Sequence, residues 1–344
     1  MTQRDTPNFG GPRPTLKTIA AETGLAVATV SRALSNAPDI GEATKVRVRA
    51  AALKLGYRPN RAGVRLRTGK TNVIALVLSA QADVMNNTAK LLYAIADTLR
   101  GTPYHLVVMP YFPDQDPLDP VKYLVETGSA DGIIFNQTKA VDARIAYLCQ
   151  NQIPFATHGR SDMGLEHPYF DYDNHAFGSF AIQALAARGC RHVYGLVPPH
   201  DQMYAQHMMA GMQEMARKTG MTLELAQDFS ADSLGAMIEA AITTRWQAAN
   251  PPDALISSST TGAMAAVAAL ERMGLRTGQD FQIVSKEAIS FLHRFRRDII
   301  VAAEDVDQAG RSLARAVMDA IEGRPASTGQ RLQVPQLADF KTGD

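Results

Sequence analysis

The chain has 344 residues, 46% of them apolar and 20% charged, with a formal net charge of +1. That length predicts two or three domains, and the balance is that of a globular protein rather than a disordered or collagen-like one. No stretch reaches the roughly 20 consecutive apolar residues of a membrane helix. Cys149 and Cys190 have neither CxxC nor histidine-ligand spacing, which fits buried free thiols in a reducing cytoplasm.

The small net charge hides an uneven distribution. Residues 1–71 carry 13 Lys and Arg against four acids, a net +9, and the remainder carries 22 against 30, a net −8. A basic head on an acidic body is the footprint of a nucleic-acid module joined to something else.

Taken in order, residues 1–14 are Gly/Pro-rich, lack the apolar run of a signal peptide and are expected to be disordered. Leu16–Ser35 reads as two short helices joined by a tight turn. Ala20 permits a close crossing, Gly24 supplies the positive φ, and Ile19, Leu25, Val30 and Ala33 fall on a shared core. Thr29, Ser31 and Arg32 are left facing outward, the pattern of a helix-turn-helix whose second helix enters the major groove. A third helix is expected over Glu42–Leu55, with Val46, Ala50 and Leu53 on one face and Gly56 as its stop. The basic segment Tyr57–Thr71 follows, with room for one and a half helical turns between Arg61 and Leu66. That is too short to be stable alone and suits a hinge that folds against DNA.

From Asn72 the texture becomes alternating strands and amphipathic helices. Strands are expected at Val73–Leu78, Tyr104–Met109, Gly132–Phe135, Phe155–Thr157, His192–Val197, Ala254–Ser257 and Gln282–Val284. Helices are expected at Thr88–Leu99, Val121–Glu126, Ala143–Asn151, Ala176–Ala187, Tyr204–Thr219, Ser233–Ile242, Gly262–Met273 and Asp307–Ile321. Repeated βα units predict parallel sheets covered on both faces. Two sets imply two lobes, with a ligand cleft outside the carboxyl ends of the strands.

The stretches IAAETGLAVATVSRAL and GYRPN, the Asp173-Asn174…Gly178 element and the strand–helix rhythm together resemble the LacI (lactose-repressor type) family of bacterial transcription factors. The resemblance covers residues 15–335. It implies an α + α/β chain: a helix-turn-helix domain over 15–58, a hinge helix and linker over 59–71, and a two-lobed, periplasmic-binding-protein-like effector and dimerisation domain over 72–335. The first lobe is expected at about 72–172 plus 301–325, and the second at about 173–300 plus the C-terminal strand. It further implies a homodimer or dimer of dimers on a pseudo-palindromic operator, and a small effector, usually a sugar, between the lobes. Leu91, Leu92 and Ile95 are candidates for the dimer face, with a core role as an equal alternative. The absence of leucine heptads beyond Ile321 argues against a tetramerising coiled coil.

The resemblance also assigns roles at the DNA. Ala26 stands where the family has a capping Ser. Val27 and Ala28 stand at base-reading positions, where they can meet a thymine methyl but make no hydrogen bonds. Thr29, Ser31 and Arg32 remain as polar readers, with Arg32 suited to a guanine edge. Thr44 and Lys45 are expected on phosphate, with Thr18 a candidate for the same role; Thr15 and Tyr57 are counted among the DNA-binding residues, and Asn60 and Arg61 flank a minor-groove wedge at Leu66. Gly63 replaces a usual Ala, which weakens the hinge helix by about 1 kcal/mol.

In the cleft the family pattern is altered. Met208 replaces an Arg three residues before Gly211, with His207 beside it. Ser259-Thr260 replace Asn-Asp, Ser285-Lys286-Glu287 replace Gly-aromatic-Asp, and Gly159-Arg160 replace Asp-Arg. The expected ligand set is Asp83, Asn86, Arg160, His207, Phe229, Ser259 and Glu287, with Lys286 read as a surface lysine. Charge-assisted grips from Arg160 and Glu287 favour a carbohydrate. The sequence lacks a P-loop, GxGxxG after a strand, HExxH and GxSxG, so an enzyme is disfavoured, and no cofactor or metal is implied. A solute-binding protein would lack the basic head. A corepressor-type or activating regulator with another effector remains the alternative within regulation.

Overall fold

The computed structural model describes residues 14–57, 63, 65, 68–80, 82–287 and 292–336. The chain divides into two compact units, residues 1–71 and 72–344.

The first unit holds helices α1 (Leu16–Thr23), α2 (Val27–Leu34) and α3 (Glu42–Lys54). Ile19, Val30, Ala33, Val48, Ala51 and Ala52 form its core, fringed by Leu16, Ala20, Leu25 and Tyr57. Gly24 ends α1 in the left-handed region, at φ 65°, where a side chain is disfavoured. The expected apolar face of α3 is corrected. Val46 and Leu53 are 61% and 85% exposed, and the helix packs through Val48, Ala51, Ala52 and the stem of Lys45. The sequence VRVRAAAL offers small or apolar residues on every side of the helix. Contact with α1 and α2, rather than periodicity, selects the buried stripe.

The second unit contains two fully parallel sheets. The first has the order β11-β5-β4-β3-β1-β2 and the second β10-β9-β8-β6-β7. In chain order the elements are β1 (Val73–Ser79), α4 (Ala82–Thr98), β2 (His105–Tyr111), α5 (Leu118–Glu126), β3 (Gly132–Phe135), α6 (Ala143–Gln150), β4 (Phe155–His158) and β5 (Tyr169–Tyr172). The chain then passes to the second lobe through α7 (Asn174–Ala186), β6 (His192–Leu196), α8 (Met203–Thr219), β7 (Thr222–Leu225), α9 (Gly235–Trp246), β8 (Ala254–Ser257), α10 (Thr260–Arg272), β9 (Gln282–Glu287), the short α11 (Leu292–Phe295) and β10 (Ile300–Ala303). It returns through α12 (Val306–Ile321) and β11 (Gln330–Gln333). The runs VIALVLS and GIIF are buried almost end to end, as strands covered on both faces must be.

Two boundaries differ from the sequence expectation. The C-terminal strand belongs to the first lobe, where Gln330–Gln333 pair in parallel with Tyr169–Tyr172. Residues 300–303 belong to the second, pairing with β9, so the return segment starts at Glu304 rather than residue 301. Both shifts follow from four-residue strands that the sequence pattern missed, β5 and β10; β5 supplies the edge on which β11 docks. Of the two roles open to them, Leu91 and Ile95 take the core one, beneath α12, and Leu92 joins that core at its edge. In the second lobe α7 and α8 approach through Gly178 and Gly211. A Cβ on Gly211 would lie 2.0 Å from the His175 carbonyl oxygen, and one on Gly178 2.3 Å from that of Met208.

Candidate functional site

In the head, one side of α2 is exposed. α1 is closed by a capping box: the Thr18 amide donates to Thr15 Oγ1 at 3.4 Å, and the Thr15 amide donates to Thr18 Oγ1 at 3.1 Å. α2 has the extended N-cap geometry at Ala26 but no side-chain cap, so its first amides point outward without a protein acceptor from that residue. Such amides, reinforced by the helix dipole, attract phosphate. Ala26, Val27 and Ala28 are exposed, Thr29 and Ser31 half-buried. Arg32 is exposed and pairs with Asp39 at 2.6 Å, an acid that a nucleic-acid contact would have to displace. Arg47 donates to the Thr23 carbonyl and ties α3 to the end of α1.

In the body, a cavity of about 150 Å³ lies between the lobes, a volume of the order that holds a six-membered ring. Its wall comes from the carboxyl ends of strands: Asn136 and Gln137 after β3, His158 and Gly159 at β4, Asp171 and Tyr172 at β5, Ser258 after β8, Lys286 in β9 and Glu304 after β10. The amino ends of α7, α8 and α10 add Asn174, Tyr204 and Thr260. This is the placement expected of ligands in open α/β sheets.

A largely buried ion cluster stands at the junction of the two sheets. Lys286 Nζ lies 2.8 Å from Glu304 Oε2 and donates to Asn174 Oδ1 at 3.2 Å. It also sits above the Tyr172 ring, 5.1 Å from the centroid. His158 Nε2 stands 3.5 Å from Glu304 Oε1. Burial opposes ionisation of Glu304, but Lys286 and His158 outweigh it and hold the carboxyl well below the ordinary carboxylate range. A second pair joins Arg160 Nε to Asp171 Oδ2 at 2.7 Å. There burial prevails and pushes the Asp171 carboxyl up despite Arg160. Burial, then the nearby Asp232 and Glu304, push the Tyr204 hydroxyl well above its usual value.

Residues 15–60 match the bacterial regulatory proteins, lacI family, and residues 182–339 match the periplasmic binding protein-like domain. The HTH-type transcriptional regulator RafR of Escherichia coli is 32% identical over 279 residues, 80% of each chain. The chain belongs to the lacI family of bacterial regulatory proteins. Within that family, the HTH-type transcriptional regulator CelR of Thermobifida fusca is 28% identical over 325 residues, 90% of this chain and 93% of its own. The lac repressor dimer bound to operator and the anti-inducer ONPF shares the fold at a TM-score of 0.81 and 21% identity, covering 96% of this chain and 99% of that one. A CelR–cellobiose complex shares it at 0.68 and 23%, covering 96% and 100%.

Measured on this lacI-family frame, the sequence-expected residues fall into distinct groups. On the head, Lys45 is corrected: its side chain is 7% exposed and paired with Glu42 at 2.8 Å, because α3 turns that face inward. Thr15 and Thr18 are engaged with each other in the cap, Thr44 is half-buried and Tyr57 packs on the core. Asn60, Arg61 and Leu66 lie outside the described residues.

In the cleft, Ser259 lines the cavity, but its hydroxyl caps α10, accepting from the Gly262 amide at 3.0 Å and donating to the Ala231 carbonyl at 3.1 Å. Arg160 stands behind the wall, on Asp171. His207 feels the Asp171 charge, while burial keeps its imidazole below the ordinary value. Two expectations are corrected. Phe229 packs on the second-lobe core. Glu287 is 3% exposed and accepts from the Leu292 amide at 2.5 Å, because successive strand residues face opposite ways and β9 turns Lys286, not Glu287, into the cavity. Lys286 is therefore no surface lysine. Asp83 and Asn86 fall in the first turns of α4, and their side chains are outside the described set. Sequence reasoning missed Asn136, His158, Tyr172, Tyr204 and Glu304. The usable signal was their position at strand ends and helix starts, hidden for Tyr172 and Glu304 by the unrecognised β5 and β10.

Proposed function

We infer that this lacI-family regulator is a repressor of a carbohydrate-uptake or catabolism operon, and that a small sugar or glycoside in the interlobe cavity sets its affinity for operator DNA. The observation that carries the reading is the cavity: amide, hydroxyl and carboxylate groups converge from the strand ends around the rings of Tyr172 and Tyr204. Aromatic faces suit the C–H face of a sugar ring, and convergent polar groups suit its hydroxyls. Cellobiose is named in the complex of the related CelR, which supports a carbohydrate here.

The working form is a cytoplasmic homodimer on a pseudo-palindromic site, acting by binding and without an enzymatic step. On DNA, Val27 and Ala28 contact thymine methyls, and Arg32, released from Asp39, reads a guanine or clamps a phosphate. Thr29, Ser31 and Thr44 assist as hydroxyl contacts to bases or phosphates.

The test pairs two measurements on the full chain. A duplex enriched from random sequence should bind, and the affinity should fall steeply with salt, as phosphate neutralisation requires. A sugar that raises the melting temperature should weaken that binding, the sign of an inducer. A sugar that strengthens it would make the protein corepressor-type, and salt-independent binding or none would overturn the DNA reading.

A further inference from the structure

We propose that Glu304 is a specificity-determining residue of the cleft: by holding Lys286, it lets the cavity admit neutral hydroxylated sugars and reject phosphorylated or acidic ones. This rests on the carbohydrate reading above and adds the charge class of the ligand and the residue that sets it.

An anionic sugar needs a cation free to meet it. Among the cavity-lining side chains of the described residues, Lys286 is the sole lysine or arginine, and it shares the lining with the acids Asp171, Asp232 and Glu304. Lys286 is 13% exposed. Its ammonium has three donors; Glu304 at 2.8 Å and Asn174 at 3.2 Å take two, and the rings of Tyr172 and Tyr204 lie beneath at 5.1 and 5.9 Å. A phosphate on the third donor would share the nitrogen with the Glu304 carboxylate, which already neutralises the ammonium and would repel the second anion beside it. Arg160, the next cation, does not line the cavity and is held by Asp171 at 2.7 Å.

One of the remaining polar atoms, the Asn136 amide oxygen, favours a donor over an anion. Asn136 Oδ1 and Ser258 Oγ are buried with no hydrogen-bond partner among the described residues. An amide oxygen accepts and cannot donate, so a ligand hydroxyl satisfies Asn136 whereas a phosphate oxygen would repel it. An unfilled buried acceptor is costly, and a polyol supplies the missing donor to Asn136 without bringing charge, while Ser258 Oγ can donate to the same polyol or accept from it.

The experiment uses the full chain in thermal-shift and calorimetric titrations. The probes are glucose, galactose, mannose and cellobiose, set beside the 6-phosphates and uronic acids of the three hexoses and cellobionic acid. At least one neutral sugar should bind saturably, and its acidic counterpart at least about tenfold more weakly. In Glu304→Gln, which frees the Lys286 charge, that discrimination should shrink by about tenfold. In the doubly neutral Lys286→Met/Glu304→Gln variant, which avoids a stranded charge and so guards against misfolding of the single variant, it should persist. A charged sugar binding the wild type as tightly as its neutral parent would overturn the filter while leaving the carbohydrate reading intact. An unchanged ratio in folded Glu304→Gln would overturn the role of that residue. Failure of every sugar to bind would bring down the carbohydrate reading and the filter with it.

Discussion

Ala26→Ser should stabilise the DNA-binding head by supplying the cap that α2 lacks. Ala26 already has the N-cap backbone, φ −65° and ψ 147°, without a side-chain acceptor, and it is exposed, so a hydroxyl meets no steric obstacle. The chain contains its own template: in α1 the Thr15…Thr18 pair closes a capping box at the same spacing as Ala26…Thr29. A serine there would accept from the Ala28 or Thr29 amide, and Thr29 would be placed to reach back. Replacing Ala by Ser at an N-cap is worth about 1 kcal/mol, roughly a fivefold change in an opening equilibrium. Native-state hydrogen exchange on the full chain reads this directly. The amides of Val30 and Val48, in the head core, should gain about fivefold in protection, while those of Ile74 and Val193, in the body, serve as unchanged references. Unaltered exchange at Val30 and Val48, with the references constant, would refute the reasoning and mean that solvent already satisfies those amides at no cost.

Three further outcomes follow from the same kind of accounting. Gly63→Ala should tighten operator binding several-fold in titrations, since among the described residues a Cβ there meets nothing within 4 Å and Gly is about 1 kcal/mol worse than Ala in a helix; unchanged or weaker affinity would count against it. Gly211→Ala should lower the melting temperature through a loss of about 1–3 kcal/mol, because its Cβ would fall 2.0 Å from backbone at His175; a melting temperature equal to wild type would show that α7 and α8 can separate freely. Stability should decline as pH falls from 7 to 5. Burial lowers His167 and His207 below the usual imidazole value, so the unfolded chain takes up these protons first, and the stabilisation present above the unfolded value is lost as pH falls through the folded one. His167→Gln should make that decline shallower in denaturant titrations at each pH, and an identical slope would assign the effect elsewhere.

The head was nearly all legible in sequence, and the reason is local. Gly24, Ala20 and the Ile19/Val30/Ala33 set belong to contacts between neighbours in the chain, so their spacing carries the geometry. α3 shows the limit even there: with apolar residues all round, its buried stripe is chosen by the helices it meets. The body was legible as a βα rhythm because β1 and β3 are buried on both faces. The strands at one margin of the first sheet were not, because QRLQ in the edge strand β11 and YFDY in its neighbour β5 have no aliphatic run to betray them, and a strand of four residues is specified mainly by the neighbour that pairs with it.

The site was the least legible part, since its residues are separated by up to about 170 positions and share only a place at the ends of strands. Motif comparison selected Glu287 because an acid stood near the expected position. One residue of register decides the matter: Ser285 and Glu287 face one way and Lys286 the other, so the group delivered to the cavity is a cation rather than an acid. The acid that reaches it, Glu304, comes from a segment with no motif, immediately after β10. Lys286 belongs to the second sheet, Glu304 to the segment returning to the first, and His158 to β4 of the first. The charge cluster thus spans both lobes, so a ligand bound against it touches groups whose relative positions depend on the lobes' arrangement. Such a ligand has different contacts in different arrangements, which is the condition for shifting their populations.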